Sequence, residues 1–213
     1  MRMRRKPNLA ARMERNAHLL VKEPAQFRGQ WLDTFGYSEL RVELGCGKGR
    51  FTVETAKNEP DVLFVALEKT ASVMVIALER TAAENLRNVR FVNAYADDST
   101  DYFAPGEVSR IYINFCDPWP SNRHAKRRLT GHWFLECYKK ILGPGGELHF
   151  KTDNFPLFEF SVNEFKLSNL DIVEVVHDLH RNGPVGVMTD YEQRFFDLGM
   201  PIFRCSAKVH KAT

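Results

Sequence analysis

The sequence predicts an α/β fold on a mostly parallel, doubly wound sheet. Short apolar runs alternate with segments of helical spacing along the chain. One run, 62–67, is apolar without interruption, as in a strand buried on both faces. Neither an internal repeat nor a long linker divides the 213 residues, so a single domain spanning 1–213 is expected.

The elements follow in order. Residues 1–20 form a basic N-terminal arm or helix, with Arg2, Arg4, Arg5, Lys6, Arg12 and Arg15. A first strand is expected at 40–44, followed by a glycine-rich turn and an amphipathic helix at 51–57. After strand 62–67, the spacing of Val73, Ile76, Ala77 and Leu86 predicts a helix over 70–86. Strands are expected at 89–93 and 108–115. Helix 130–142 is stopped by Gly143-Pro144-Gly145-Gly146, and strand 147–151 follows. The remaining elements are helix 155–165, strand 170–176, a short helix at 191–198 and a last strand at 202–209.

Composition narrows the function. The apolar share of 44% supports a large core, and no apolar stretch approaches the ~20 residues of a spanning helix, so no membrane is expected. The basic start lacks the apolar segment of a secretory signal. Cys46, Cys116, Cys137 and Cys205 are scattered, which predicts reduced thiols in a cytoplasmic protein and no metal site. Net charge is only +3, yet a second basic cluster spans Arg123, His124, Ala125, Lys126, Arg127 and Arg128. Two dense basic segments on a nearly balanced chain suggest a polyanion; each alone reads equally as solvated surface.

In such sheets ligands bind beyond the carboxyl ends of the strands. The first strand leads there into Glu43-Leu44-Gly45-Cys46-Gly47-Lys48-Gly49. Three glycines two apart let backbone approach a ligand, but the third falls one residue early for a dinucleotide fingerprint. The Glu43 carboxylate would repel a pyrophosphate and suits the ammonium and sulfonium of S-adenosylmethionine. Glu68 ends the second strand where an acid accepts hydrogen bonds from ribose hydroxyls. These residues resemble the E-x-G-x-G-x-G motif and later acid of class I S-adenosylmethionine-dependent methyltransferases. That resemblance implies a Rossmann-like fold.

The fourth strand runs into Phe115-Cys116-Asp117-Pro118-Trp119-Pro120, a rigid exit that cannot continue a sheet and projects Asp117 and Trp119 into the crevice. The 123–128 basic cluster follows at once, as a nucleic-acid substrate would require. With Phe150-Lys151-Thr152-Asp153-Asn154 and Thr189-Asp190-Tyr191-Glu192, these motifs resemble the bacterial tRNA (guanine-N7-)-methyltransferase family over nearly the whole chain. The resemblance implies methyl transfer to N7 of the variable-loop guanine at tRNA position 46, on a sheet with an antiparallel C-terminal strand, by a monomer or homodimer. It places Glu43, Gly45, Gly47, Gly49, Glu68, Tyr95 and Asp117 at the cofactor, with Asp117 also catalytic. Ser121, Asp153, Thr189, Asp190, Tyr191 and Glu192 would face the substrate, and residues 123–128 the RNA.

Two positions depart from the family pattern. Ser121 stands where relatives carry lysine, and Tyr95 where an acid or amide is usual, with Asp97 and Asp98 just beyond as alternative cofactor contacts. Three other readings stay open. Cys116 as nucleophile would suit a pyrimidine C5 methyltransferase, and exocyclic amine methylation usually has an Asn-Pro-Pro-aromatic tetrad in place of Asp-Pro-Trp-Pro. A non-enzymatic RNA-binding module would leave Glu43 and Glu68 idle. Thr189 and Glu192 also fit a plain capping box.

Overall fold

The first two strands are β1 (Glu39–Leu44) and β2 (Val62–Leu67), and every residue of β2 is buried, as its unbroken apolar run requires. They are joined by β3 (Val89–Val92), β4 (Arg110–Asn114), β5 (Glu147–Thr152), β6 (Leu170–Val176) and β7 (Phe203–Val209). The computed structural model describes residues 8–210. The seven strands form one sheet in the order β3-β2-β1-β4-β5-β7-β6. From β3 to β5 all neighbours are parallel; β7 alone runs against the rest, inserted between β5 and β6.

Helices are α1 (Leu9–Arg15), α2 (Trp31–Phe35), α3 (Arg50–Asn58), α4 (Ala71–Ala83), α5 (Ser99–Tyr102), α6 (His132–Leu142), α7 (Phe155–Leu167) and α8 (Asp190–Asp197). They cover the sheet, and two apolar clusters result. The larger contains Leu40, Val42, Ile111, Phe134, Phe150 and Phe158, and the smaller contains Phe51, Phe64, Met74, Leu78 and Phe91. Among the described residues no helix is long and apolar enough to cross a membrane.

The sequence reading omits α2 and α5, and α1 falls within the basic arm or helix expected over 1–20. Trp31 of α2 is fully buried among Phe27, Phe35 and Phe103, and its indole N–H donates to the Tyr102 carbonyl at 2.9 Å. The Glu107 carboxylate accepts from the backbone N–H groups of Gly29, Trp31 and Ala104, which ties these turns together. Of the expected N-terminal arm, Arg2, Arg4, Arg5 and Lys6 lie outside the described residues. Residues 8–20 are packed on the domain. Arg12 forms a bidentate pair with Glu79 at 2.7 and 2.5 Å, Leu19 is buried, and Leu20 bridges to Phe91 on the edge strand β3.

Candidate active site

Strand order reverses between β1 and its neighbours β2 and β4, and the main cleft opens beyond their carboxyl ends. Its volume is about 660 Å³, ample for a nucleoside-sized ligand. Gly45, Glu68, Tyr95, Asp97, Asp117 and Arg127 are among its walls.

The glycines divide into two roles. Gly45 and Gly47 adopt φ values of +78° and +59°, and a Cβ on either would meet open space, so the loop is bare on the ligand side. Gly49 differs. A Cβ there would stand 2.4 Å from that of Ala77, so this glycine is needed for α3 to pass close to α4. Close packing is therefore a second reason for glycine at this position, beside its place in the loop. Glu68 lines the cleft and closes the loop, accepting from Gly47 N–H at 3.1 Å and Thr70 N–H at 2.8 Å.

Glu43 lies deeper than Glu68. Its carboxylate is buried beneath the loop, accepting from the Thr52 hydroxyl and from Asn114 Nδ2 at 2.9 Å, and it is absent from the cleft wall. Burial pushes its pKa up, against the opposing bonds from Thr52 and Asn114 and the charge of Lys151. It ties the end of β1 to α3 and β4. On the rim, Tyr95 is 61% exposed and Asp97 joins it on the cleft wall, whereas Asp98 accepts from the Tyr102 hydroxyl at 3.2 Å.

The proline exit from β4 is held in an unusual backbone. Phe115 and Trp119 have φ of 53° and 44°, left-handed values that cost non-glycine residues ~1–3 kcal/mol and gather at functional sites. Between them Asp117 is 70% exposed at the cleft, with Lys69 Nζ at 3.9 Å. Cys116 differs from its neighbour: burial and then the Asp117 charge push its thiol up to about 12. Such a thiol stays protonated at neutral pH and is a poor nucleophile.

Beyond the exit, Ser121 starts a 3₁₀ turn over Asn122–Arg127 and its carbonyl accepts from His124 N–H at 2.9 Å. Arg123, His124, Lys126 and Arg127 are exposed, with the Arg127 guanidinium 4.8 Å over the Trp119 ring. Ala125 and Arg128 are half-buried. Arg128 donates twice to the Trp119 carbonyl, at 3.3 and 3.0 Å, and lies 4.3 Å over Phe160. It therefore braces the exit, unlike its exposed neighbours on the turn.

Of the four residues 189–192, Thr189 and Glu192 turn inward. Thr189 and Glu192 form the capping box of α8. Glu192 is fully buried, with Lys151 Nζ at 2.6 Å and His180 Nε2 at 3.0 Å. The Val185 N–H donates to His180 Nδ1, so Nε2 carries the proton given to Glu192. Asp190 pairs with Arg80 at 2.6 Å. In this structure the polar side-chain atoms of Thr189, Asp190 and Glu192 are engaged within the protein. Tyr191 is 45% exposed, stacks on Phe195 and leans on Phe115, and its hydroxyl lies 3.4 Å from Asp153 Oδ2. Asp153 and Tyr191 are the pair left facing outward beside the cleft mouth.

Lys151, His180, Arg80 and Asn114 carry this arrangement without having been singled out by the sequence. A lysine inside an apolar strand, as in Phe150-Lys151, was the available signal for a buried partner.

Comparison with known proteins fits this geometry. A family model described as "Putative methyltransferase" matches residues 38–205. The tRNA (guanine-N(7)-)-methyltransferase of Bacillus velezensis is 43% identical, covering 98% of this chain and 97% of that protein. The Bacillus subtilis protein of the same name is 42% identical, covering 98% and 99%. Among solved structures, the 16S rRNA methyltransferase KamB aligns with a TM-score of 0.64 at 16% identity, covering 87% of this chain and 91% of that one. A 16S rRNA (adenine(1408)-N(1))-methyltransferase with S-adenosylmethionine aligns at 0.60 and 13% identity, covering 86% and 91%. These structural likenesses establish a methyltransferase fold, and the sequence identity is more specific: the chain belongs to the bacterial tRNA (guanine-N(7)-)-methyltransferase family.

Proposed function

We infer that the protein transfers a methyl group from S-adenosylmethionine to N7 of the guanine at position 46 of the tRNA variable loop. The observation that carries this is the juxtaposition of a bare glycine loop, an exposed Asp117 and an exposed basic turn around one cleft, in a chain 43% identical throughout to an enzyme of that name. A tRNA substrate supports a cytoplasmic location.

S-adenosylmethionine, when bound, supplies the methyl group from its sulfonium. The open faces of Gly45 and Gly47, with Glu68, Tyr95, Asp97 and Asp117 around them, suit a cationic adenosyl ligand. Guanine N7 has an exposed lone pair and no proton, so the protein supplies no general base. Its work is to hold N7 in line with the bond that breaks. Attack leaves positive charge on the guanine ring, and the unburied carboxylates of Asp117 and Asp153 are placed to offset it. The base leaves its stack to enter, at a cost of a few kcal/mol, and the Tyr191 ring beside Phe115 offers a new stacking face. Asp153 is available to accept from guanine N1–H and N2–H₂, a donor pair adenine lacks.

The test is incubation of the protein with unmodified tRNA and methyl-labelled S-adenosylmethionine, followed by nucleoside mapping. The expected product is 7-methylguanosine at position 46, lost when that guanine is replaced by adenine. Label in a pyrimidine or an exocyclic amine would overturn the reading.

A further inference from the structure

The glycine loop and the start of α8 are joined by one side chain. Arg80, in the last turn of α4, donates through Nη1 to the Lys48 carbonyl at 3.2 Å and to Asp190 Oδ2 at 2.6 Å. Its Nη2 completes the fork to Asp190 Oδ1 at 3.2 Å. A second link runs alongside, from Arg50 Nη2 at the start of α3 to Gln193 Oε1 at 3.4 Å. Lys48 lies between Gly47 and Gly49, and Asp190 immediately precedes the outward-facing Tyr191.

We propose that Arg80 is a positioning residue that couples occupancy of the cofactor loop to the placement of Tyr191 for tRNA. The proposal rests on the reading above, that the cleft takes the adenosyl group and the start of α8 meets the RNA. The reason is mechanical. Seating a ligand against the Gly45–Gly49 backbone fixes the Lys48 carbonyl, which fixes the guanidinium, and the two-pronged fork then fixes Asp190 in both position and orientation. The pair is more than one-third exposed, so it contributes little to folding stability and its loss should leave the protein intact. Coupling of this kind is reciprocal: the cofactor product must tighten tRNA by the same factor as tRNA tightens the product.

The experiment measures tRNA affinity with and without saturating S-adenosylhomocysteine. The parent protein should gain about five-fold or more in affinity. In Arg80→Ala that factor should fall towards one, and KM for tRNA should rise several-fold while kcat at saturating tRNA changes less. Arg80→Lys, which keeps a cationic donor in reach of the Lys48 carbonyl and Asp190 but loses the fork, should retain part of the factor, which a general loss of structure would not. Asp190→Asn, which keeps the Lys48 bond, serves if circular dichroism shows Arg80→Ala misfolded. An unchanged factor in the single variants, or a parent without coupling, overturns the proposal. Failure of the underlying reading shows separately, as a parent that binds tRNA but forms no 7-methylguanosine.

Discussion

Cys116 and Asp117 are adjacent in sequence and opposite in chemistry. Burial and its neighbour's charge hold the thiol near 12, whereas the carboxylate stands 70% exposed at the cleft. In the mechanism we propose, attack by guanine N7 uses the second and has no use for the first. Cys116→Ser should therefore keep most single-turnover methyl transfer to unmodified tRNA. Asp117→Ala should lose ~10²–10³ in rate, the cost of removing one group that stabilises developing charge. An inactive serine variant beside an active alanine variant would reverse the assignment and imply a covalent enzyme–RNA adduct. Asp117 could be singled out from sequence because it sits in a stiff proline exit after an apolar strand. Glu192 is marked by its motif too, but not its buried pairing with Lys151, 41 residues away, which exists only once β5 and α8 are assembled.

The 3₁₀ turn after the proline exit separates two functions within six residues. Arg123, Lys126 and Arg127 point to solvent, while Arg128 is bound to the Trp119 carbonyl and covers Phe160. Replacing the first three by alanine should flatten the log–log salt dependence of tRNA binding by roughly 0.7–0.9 per lost phosphate contact. Arg128→Ala should leave that slope nearly unchanged and instead lower the methyl-transfer rate by loosening the exit; filter binding across a salt series tells the two apart. The same contrast runs through the other elements. All seven strands are legible in the sequence to within two residues, since a run of buried apolar side chains is a local property. Helices α2 and α5, of five and four residues, are too short to show a period. Trp31 helps hold α2 through Phe103 and the Tyr102 carbonyl, contacts far away in sequence.

Across the whole molecule, charge is concentrated at both ends of the sheet. At the end away from the cleft, Glu147 at the start of β5 takes Arg110 of β4 at 2.6 Å, Lys208 of β7 at 3.1 Å and His149 at 3.0 Å. Burial pushes this carboxyl up, but the bonds from His149 and Lys208 and the Arg110 charge outweigh it and hold it at about 2. Because the folded value lies below the ordinary 4.5, the stabilisation is complete above that pH and is lost as pH falls towards 2. The thermal midpoint of the parent should drop more steeply through that window than that of Glu147→Gln, with cofactor affinity at neutral pH the same in both. A parallel pH dependence in the two proteins would remove Glu147 from the acid response. The position of β7 also sets an order of events in time. A ribosome delivers β6 before β7, yet β6 borders the sheet only through β7. Until residues 203–209 have emerged, the nascent chain holds β5 with a bare edge and β6 without a partner, so this edge of the sheet is assembled last.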